Sequence, residues 1–244
     1  MDILFKLREE KSIKLKGGLY HQTQVKMCYN SNRIEGSRLS EEQTRYIFET
    51  NTLNVPADDV ANVDDIIEAV SHFSCFDYML DIAEQNLSES IIKEFHRVLK
   101  SNTSDAKREW FRVGDYKAKP NMVGDVQTTA PAQVAAEISS LLAAYNGKRQ
   151  ISFEDIIWFH YQFEKIHPFQ DGNGRVGRMI MFKECLKHGV VPFIIEETHK
   201  LFYYRGLKEY AVLPGYLLDT CRCAQDNYEK LIKYFDEKLS LKHE

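Results

Sequence analysis

Residues His167-Pro168-Phe169-Gln170-Asp171-Gly172-Asn173-Gly174-Arg175-Val176-Gly177-Arg178 bring one imidazole, one carboxylate and two guanidinium groups together around a glycine turn. An imidazole accepts a proton near neutral pH. A carboxylate can hold Mg2+ against phosphate oxygens, and arginines clamp phosphates with forked donors. Asp-Gly-Asn-Gly makes a tight loop, because Gly and Asn tolerate positive φ. The apolar period before it predicts a helix ending at Ile166, with His167 at its C-terminal edge and Pro168 unable to continue it. A second helix is predicted from about Arg175 to His188. A glycine loop at a helix N-terminus offers free N–H groups and the positive end of the dipole, which is an anion site. This combination suits transfer of a phosphorus group.

Plainer readings compete. Gly-Asn-Gly occurs in ordinary turns, and a histidine often ends a helix. The spacing Asp171, Asn173, Arg175 imitates the start of a calcium loop, but its fifth position is Arg and its twelfth is Phe182 instead of Glu. A Walker A loop is excluded, since the Gly-Lys-Ser/Thr ending is missing. Far upstream, Ser31-Asn32-Arg33-Ile34-Glu35-Gly36 sets a hydroxyl and a carboxylate four residues apart, on one helix face. Gly36 fits a helix stop, and an exposed helix end is the plain alternative.

Helical periodicity supplies the frame. Stripes run through Ile66, Val70, Phe73 and Leu80, through Val134, Ile138, Leu141, Leu142 and Tyr145, and through Ile156, Phe159, Phe163 and Ile166. Ile91, Phe95 and Val98 mark a shorter helix capped by Ser88. Ser40 and Gln43 form a capping box for a helix reaching about Thr50, and a long helix closes the chain from Tyr216 to about Leu239. From Arg112 to Ala130 the period is lost, and Gly114, Pro120 and Gly124 suit a loop or small hairpin. The expectation is one mainly α-helical domain.

Composition narrows the classes. The chain has 244 residues, 43% of them hydrophobic, with 14 Phe, 13 Tyr and a net charge of −4. No dense Lys/Arg run offers the basic face that a nucleic-acid backbone needs. Five cysteines without a C-x-x-C argue for reduced structural thiols and against a disulfide framework. No signal-like N-terminus and no run of roughly 18 apolar residues is present, so a cytoplasmic protein without membrane contact is expected.

The segment from His167 to Arg178 resembles the Fic family motif H-x-F-x-[D/E]-G-N-G-R-x-x-R, matching every fixed position. The resemblance implies an all-α, Fic-type helical bundle with a β-hairpin flap, as a single domain over 1–244. Its inhibitory region would lie in 20–50, its flap in 112–130 and its catalytic loop in 167–178. It implies a protein adenylyltransferase moving AMP from ATP to a Ser, Thr or Tyr hydroxyl, with pyrophosphate leaving. His167 would be the general base and Asp171 the Mg2+ ligand. The N–H groups of Gly172, Asn173 and Gly174, with the Asn173 side chain, would cradle phosphates. Arg175 would hold the β-phosphate and Arg178 the γ-phosphate. Glycine at 172 favours AMP transfer over the Doc-like kinases, which carry Lys there.

Ser31 to Gly36 resembles the family's inhibitory motif [S/T]-x-x-x-E-[G/N], which implies a Glu35–Arg178 pair where the γ-phosphate belongs. Pro120, Asn121, Met122 and Val123 of the flap would line the nucleotide side, and Tyr203-Tyr204 resembles an aromatic pair near the adenine. The expected partner is a protein docking on the flap, with self-modification and a homodimer also implied. A hydrolase removing AMP at the same site, and a non-catalytic nucleotide-binding module, stand as alternatives.

Overall fold

The computed structural model describes residues 2–55 and 60–240. The helices follow the caps that the sequence provides. The Ser40 hydroxyl accepts from the Gln43 N–H while the Gln43 side chain accepts from the Ser40 N–H, opening α3 (Glu41–Thr50). Ser152 and Asp155 do the same for α7 (Phe153–Ile166), and Ser88 caps α5 (Glu89–Lys100). Helices α1 (Ile3–Ser12) and α2 (Leu19–Ile34) precede α3, α4 (Val63–Asp81) lies between α3 and α5, and α6 (Pro131–Asn146) begins with Pro at its first position. After α8 (Asn173–Lys187) come α9 (Lys200–Glu209) and α10 (Gly215–Ser240). Between α5 and α6, β1 (Met122–Val123) pairs antiparallel with β2 (Val126–Gln127). The described residues are thus all-α with one small hairpin, as expected.

Helix α8 is buried all round: every residue from Asn173 to Cys185 is covered. Helices α7, α5, α4 and α2 pack against it. Phe76, Phe159, Phe163, Phe169 and Phe182 fill the spaces between helices, each nearly inaccessible. Each such ring contributes about 1.5–3 kcal/mol of burial. A smaller cluster of Cys28, Leu39, Ile47, Ala69 and Phe73 ties α2 and α3 to α4. Helix α2 is also fixed by polar bonds. Tyr20 Oη donates to Asp77 Oδ1 at 2.6 Å, Gln24 Nε2 donates to the same oxygen at 2.9 Å, and the Thr23 and Tyr228 hydroxyls lie 2.7 Å apart.

The stripes on α6 and α7 are buried as expected. On α4 Phe73 and Leu80 are buried as expected, but Val70 is exposed and the inner face also runs through Asp65, Ala69, His72 and Phe76. Polar groups on that face hid it from an apolar count. The five thiols are free, yet Cys223 is exposed while Cys221 is fully buried. Two residues on a helix are about 200° apart, so both cannot face the core. No described helix is long and apolar enough to cross a membrane.

Candidate active site

His167 ends α7 with φ 52° and ψ 63°, in the left-handed region, and its N–H closes on the Phe163 carbonyl at 2.9 Å. That turn points the chain across the start of α8. Histidine tolerates this conformation better than most residues. Burial, and then the Lys117 ammonium, hold its pKa down at about 4, so the imidazole is neutral at neutral pH. Its Nδ1 faces Glu164, one turn earlier, at 3.9 Å from Oε2. Burial, with the Glu35 charge added, pushes the Glu164 carboxyl up to about 8.

The loop after His167 is framed from within. Asn173 Oδ1 accepts the Phe169 N–H at 2.8 Å and Asn173 Nδ2 donates to the Phe169 carbonyl at 2.9 Å. Both polar ends of that side chain are therefore used inside the loop, and the residue is 2% exposed. The Asn173 amide side chain thus braces the loop from within. Gly172 caps α8 with φ 80°, a conformation that glycine adopts without strain. Helix α8 begins two residues earlier than expected because this cap lets Asn173 and Gly174 enter the first turn. Its N–H groups there lack partners within the helix.

Asp171 lies at the loop mouth. Burial alone would raise its pKa, but Arg175 and Lys100 override that and hold the carboxyl far below the usual range. It is ionised, half exposed and a hard oxygen donor, so it fits a divalent cation whose other ligands are phosphate oxygens and water. Among the described residues no group of three or more His, Cys, Asp or Glu side chains could hold a metal on its own. Arg175 is paired with Glu68 on α4 and, at 3.2 Å, with Asp171.

Arg178 points to the other side and meets α2. Its Nε donates to Ser31 Oγ at 3.0 Å, and its Nη2 donates to the Ser31 carbonyl at 3.0 Å and to Glu35 Oε1 at 2.6 Å. Arg178 is 4% exposed, whereas the Glu35 side chain keeps partial contact with solvent. Glu35 ends α2, and Gly36 follows at φ 105° and turns the chain away. A Cβ added at Gly174 would collide with Glu35 Oε1. The carboxylate therefore rests against the first turn of α8, where an anion is stabilised. The structure thus brings Ser31, Glu35 and Arg178 together as expected.

The hairpin is fastened to the loop at its base. The Lys117 N–H donates to the Pro168 carbonyl at 2.9 Å, and Asn121 Nδ2 donates to the Phe169 carbonyl at 3.0 Å. Lys117 Nζ donates to Asn121 Oδ1 (2.7 Å), Thr128 Oγ1 (2.6 Å) and the Ile166 carbonyl (3.4 Å). Burial pulls its pKa down to about 8. Pro120, Met122 and Val123 are exposed, while Asn121 is hydrogen-bonded to the loop. Tyr203 is 1% exposed, and its hydroxyl lies 2.6 Å from His160 Nε2. It backs Arg178, whose Cζ is 5.8 Å from the ring centre. Tyr204 is more exposed and donates to the Ile34 carbonyl at 3.2 Å.

Sequence reading missed Glu68, His96, Lys100, Lys117 and Glu164. His96 stacks on Phe169 with centroids 4.0 Å apart and accepts the Gly114 N–H at 2.9 Å, joining α5 to loop and flap. One signal was available: Ile92, His96 and Lys100 recur every four residues on the buried face of α5, where polar side chains need partners.

Residues 86–185 match the Fic/DOC family. The chain is 26% identical over 190 residues to the protein adenylyltransferase Fic of Aedes aegypti and 25% identical over 195 residues to protein adenylyltransferase fic-1 of Caenorhabditis briggsae. These alignments take in 75% and 78% of the chain but only 36% and 37% of the relatives, so the chain spans about a third of their length. Its fold is similar to that of a Fic-domain-containing signaling protein from Bacteroides thetaiotaomicron, with TM-score 0.70, 23% identity and coverage of 95% of this chain and 91% of that one. Fic-1 from C. elegans gives TM-score 0.72 at 20% identity, covering 94% and 69%. The motif loop and nearly all of α8 lie inside the stretch, residues 86–185, that matches the Fic/DOC family.

Proposed function

We propose that the protein is an adenylyltransferase that moves AMP from ATP to a Ser, Thr or Tyr hydroxyl of a protein, restrained by its own Glu35. The observation that carries this reading is a buried neutral imidazole beside a glycine-framed helix N-terminus with two shielded arginines. His167 takes the proton of the attacking hydroxyl. The oxygen bonds to the α-phosphorus, and the bond to the pyrophosphate oxygen breaks. A negative triphosphate beside the imidazole raises its pKa from about 4 and strengthens it as a base. The first turn of α8 and Arg175 stabilise the charge on the transferring and leaving groups. A Mg2+ ion held through Asp171 would neutralise charge on the departing pyrophosphate.

The relatives' name, protein adenylyltransferase, supports the reaction class. The exposed hairpin, with Met122, Val123 and Val126 at its surface, offers backbone edges to an extended protein segment. Glu35 stands against the anion-binding turn and occupies Arg178, so it opposes the γ-phosphate twice, by charge and by position. The test is incorporation of labelled AMP into added protein. His167→Ala should lower it by about 10²–10⁴ while ATP still binds. Incorporation at the wild-type rate in that variant would end the assignment.

A further inference from the structure

The carboxylate given to the metal is already in contact with a cation of the chain's own. Lys100, at the end of α5, is 2% exposed, and its Nζ lies 2.6 Å from Asp171 Oδ2, 2.7 Å from Glu68 Oε1 and 3.3 Å from Asp105 Oδ2. Three carboxylates from α4, the turn after α5 and the catalytic loop thus converge on one ammonium. Arg175 adds a second cation to Glu68 and Asp171. The ordinary role for such a lysine is neutralisation of a buried carboxylate, but two features go further. Asp171 Oδ2, the oxygen that the ammonium touches, is also the one that Arg175 contacts. The Lys100 stem also packs under the loop: a Cβ at Gly172 would stand 3.6 Å from its Cγ and 3.7 Å from its Cδ.

We infer that Lys100 is a positioning residue that holds Asp171 in place and competes with a free divalent cation for it. This rests on the reading of Asp171 as the metal carboxylate. An ammonium and a divalent cation cannot share one carboxylate oxygen without strong repulsion. Free Mg2+ must therefore displace Lys100 or settle for the other oxygen. A metal–ATP complex brings additional ligands and is far less penalised. The enzyme then takes its metal with the nucleotide and has little affinity for the metal alone. The same ammonium fixes the carboxylate's direction, which a flexible half-exposed aspartate in a glycine loop would otherwise lack.

Removal of the ammonium reverses the balance. Glu68 and Asp171 then keep Arg175 and Asp105 keeps Arg108, while a divalent cation at Asp171 no longer meets the ammonium. The experiment is Mn2+ titration of the full chain without nucleotide, read by electron paramagnetic resonance of free Mn2+. Wild type should bind weakly, and Lys100→Met should bind about tenfold tighter or more, a change in the range that second-layer contacts to a metal ligand produce. Lys100→Gln keeps hydrogen bonding among the carboxylates and serves if the methionine variant does not fold. Adding Asp171→Asn to either should remove the gain. A folded Lys100 variant with wild-type Mn2+ affinity overturns the competition, and so does a gain that survives Asp171→Asn. A repeat with a non-hydrolysable ATP analogue separates the two ideas. If Asp171→Asn in an otherwise wild-type chain leaves Mn2+–nucleotide affinity unchanged, the metal role of Asp171 fails first.

Discussion

Substitution of Glu35 should move stability and nucleotide affinity in opposite directions. Its carboxylate lies 2.6 Å from Arg178 Nη2, and Arg178 is 4% exposed. With charge centres about 4 Å apart and an effective dielectric near 20, the attraction is roughly 4 kcal/mol before desolvation. Glu35→Gln removes the charge and keeps the shape. Arg178 then retains its two bonds to Ser31 and loses its counter-ion. Because the Glu35 side chain is 28% exposed, water replaces part of the loss. The net cost should be about 1–3 kcal/mol, toward the lower range for breaking such pairs. For a domain of this size that lowers Tm by roughly 2–10 °C. The freed guanidinium can then receive a phosphate, and one charge-assisted bond is worth about 1.5–3 kcal/mol. ATP should bind roughly ten- to a hundredfold tighter. Glu35→Gly should show the same gain with a little more instability, since glycine at a helix end costs chain entropy. Calorimetric ATP titration, thermal melting and labelled-AMP incorporation measure the three effects. The reasoning fails if a variant melts lower yet binds ATP and transfers AMP no better than wild type. It also fails if the gain persists when Arg178→Ala is added.

Acid should unfold the protein early. His72, His96 and His160 are buried with pKa values lowered to about 3, and His167 to about 4. Below their unfolded value near 6.5, the unfolded chain takes up protons that the folded chain refuses, so stability falls as pH drops. Glu164, raised to about 8, acts oppositely between its unfolded value and 8, offsetting about one histidine near pH 5. The net uptake of about three protons corresponds to about 4 kcal/mol per pH unit, against a typical total of 5–15 kcal/mol. Melting curves from pH 7 to pH 4 should collapse by about pH 4–5.5, and a Tm that holds steady down to pH 4 would contradict the burial of these rings as neutral groups. Gly206→Ala should also destabilise, because its Cβ would stand 2.7 Å from Leu217 Cα, where backbone cannot yield. A cost of about 1–3 kcal/mol is expected, and an unchanged Tm would mean that α9 and α10 are not in backbone contact.

What the sequence made legible was whatever depends on near neighbours. The capping residues Ser40 and Ser88 act where local chemistry places them. Loss of period marked the hairpin, and the loop residues carried their own geometry. Asn173 shows the limit even there: type and spacing suggested a ligand-facing amide, while the fold uses both its polar atoms on Phe169. The Arg178 pairing spans 143 residues and was expected only through family resemblance. Glu68 and Lys100 had no such guide. A charged residue in a helix is normally read as solvent-facing, and only the contact between α4, α5 and the loop makes their burial tolerable.

The charges around the start of α8 follow one pattern. Arg175 has Glu68 and Asp171, Arg178 has Glu35, and Lys100 has Glu68, Asp105 and Asp171. Lys117 differs: its side-chain bonds go to an amide, a hydroxyl and a carbonyl. On the proposed reading, a triphosphate entering this site does not find bare cations. It exchanges phosphate oxygens for carboxylates that the chain already supplies. Affinity is therefore a difference between two sets of ion pairs, and each carboxylate sets part of the threshold. Loss of Glu35 lowers that threshold without harming the catalytic loop, because Glu35 comes from α2 and lies outside it. Loss of Asp171 or Glu68 does not, because those groups also orient Arg175 and Lys100. On the proposed reading Glu35 is the carboxylate suited to regulation, because it pairs with Arg178 and orients neither Arg175 nor Lys100.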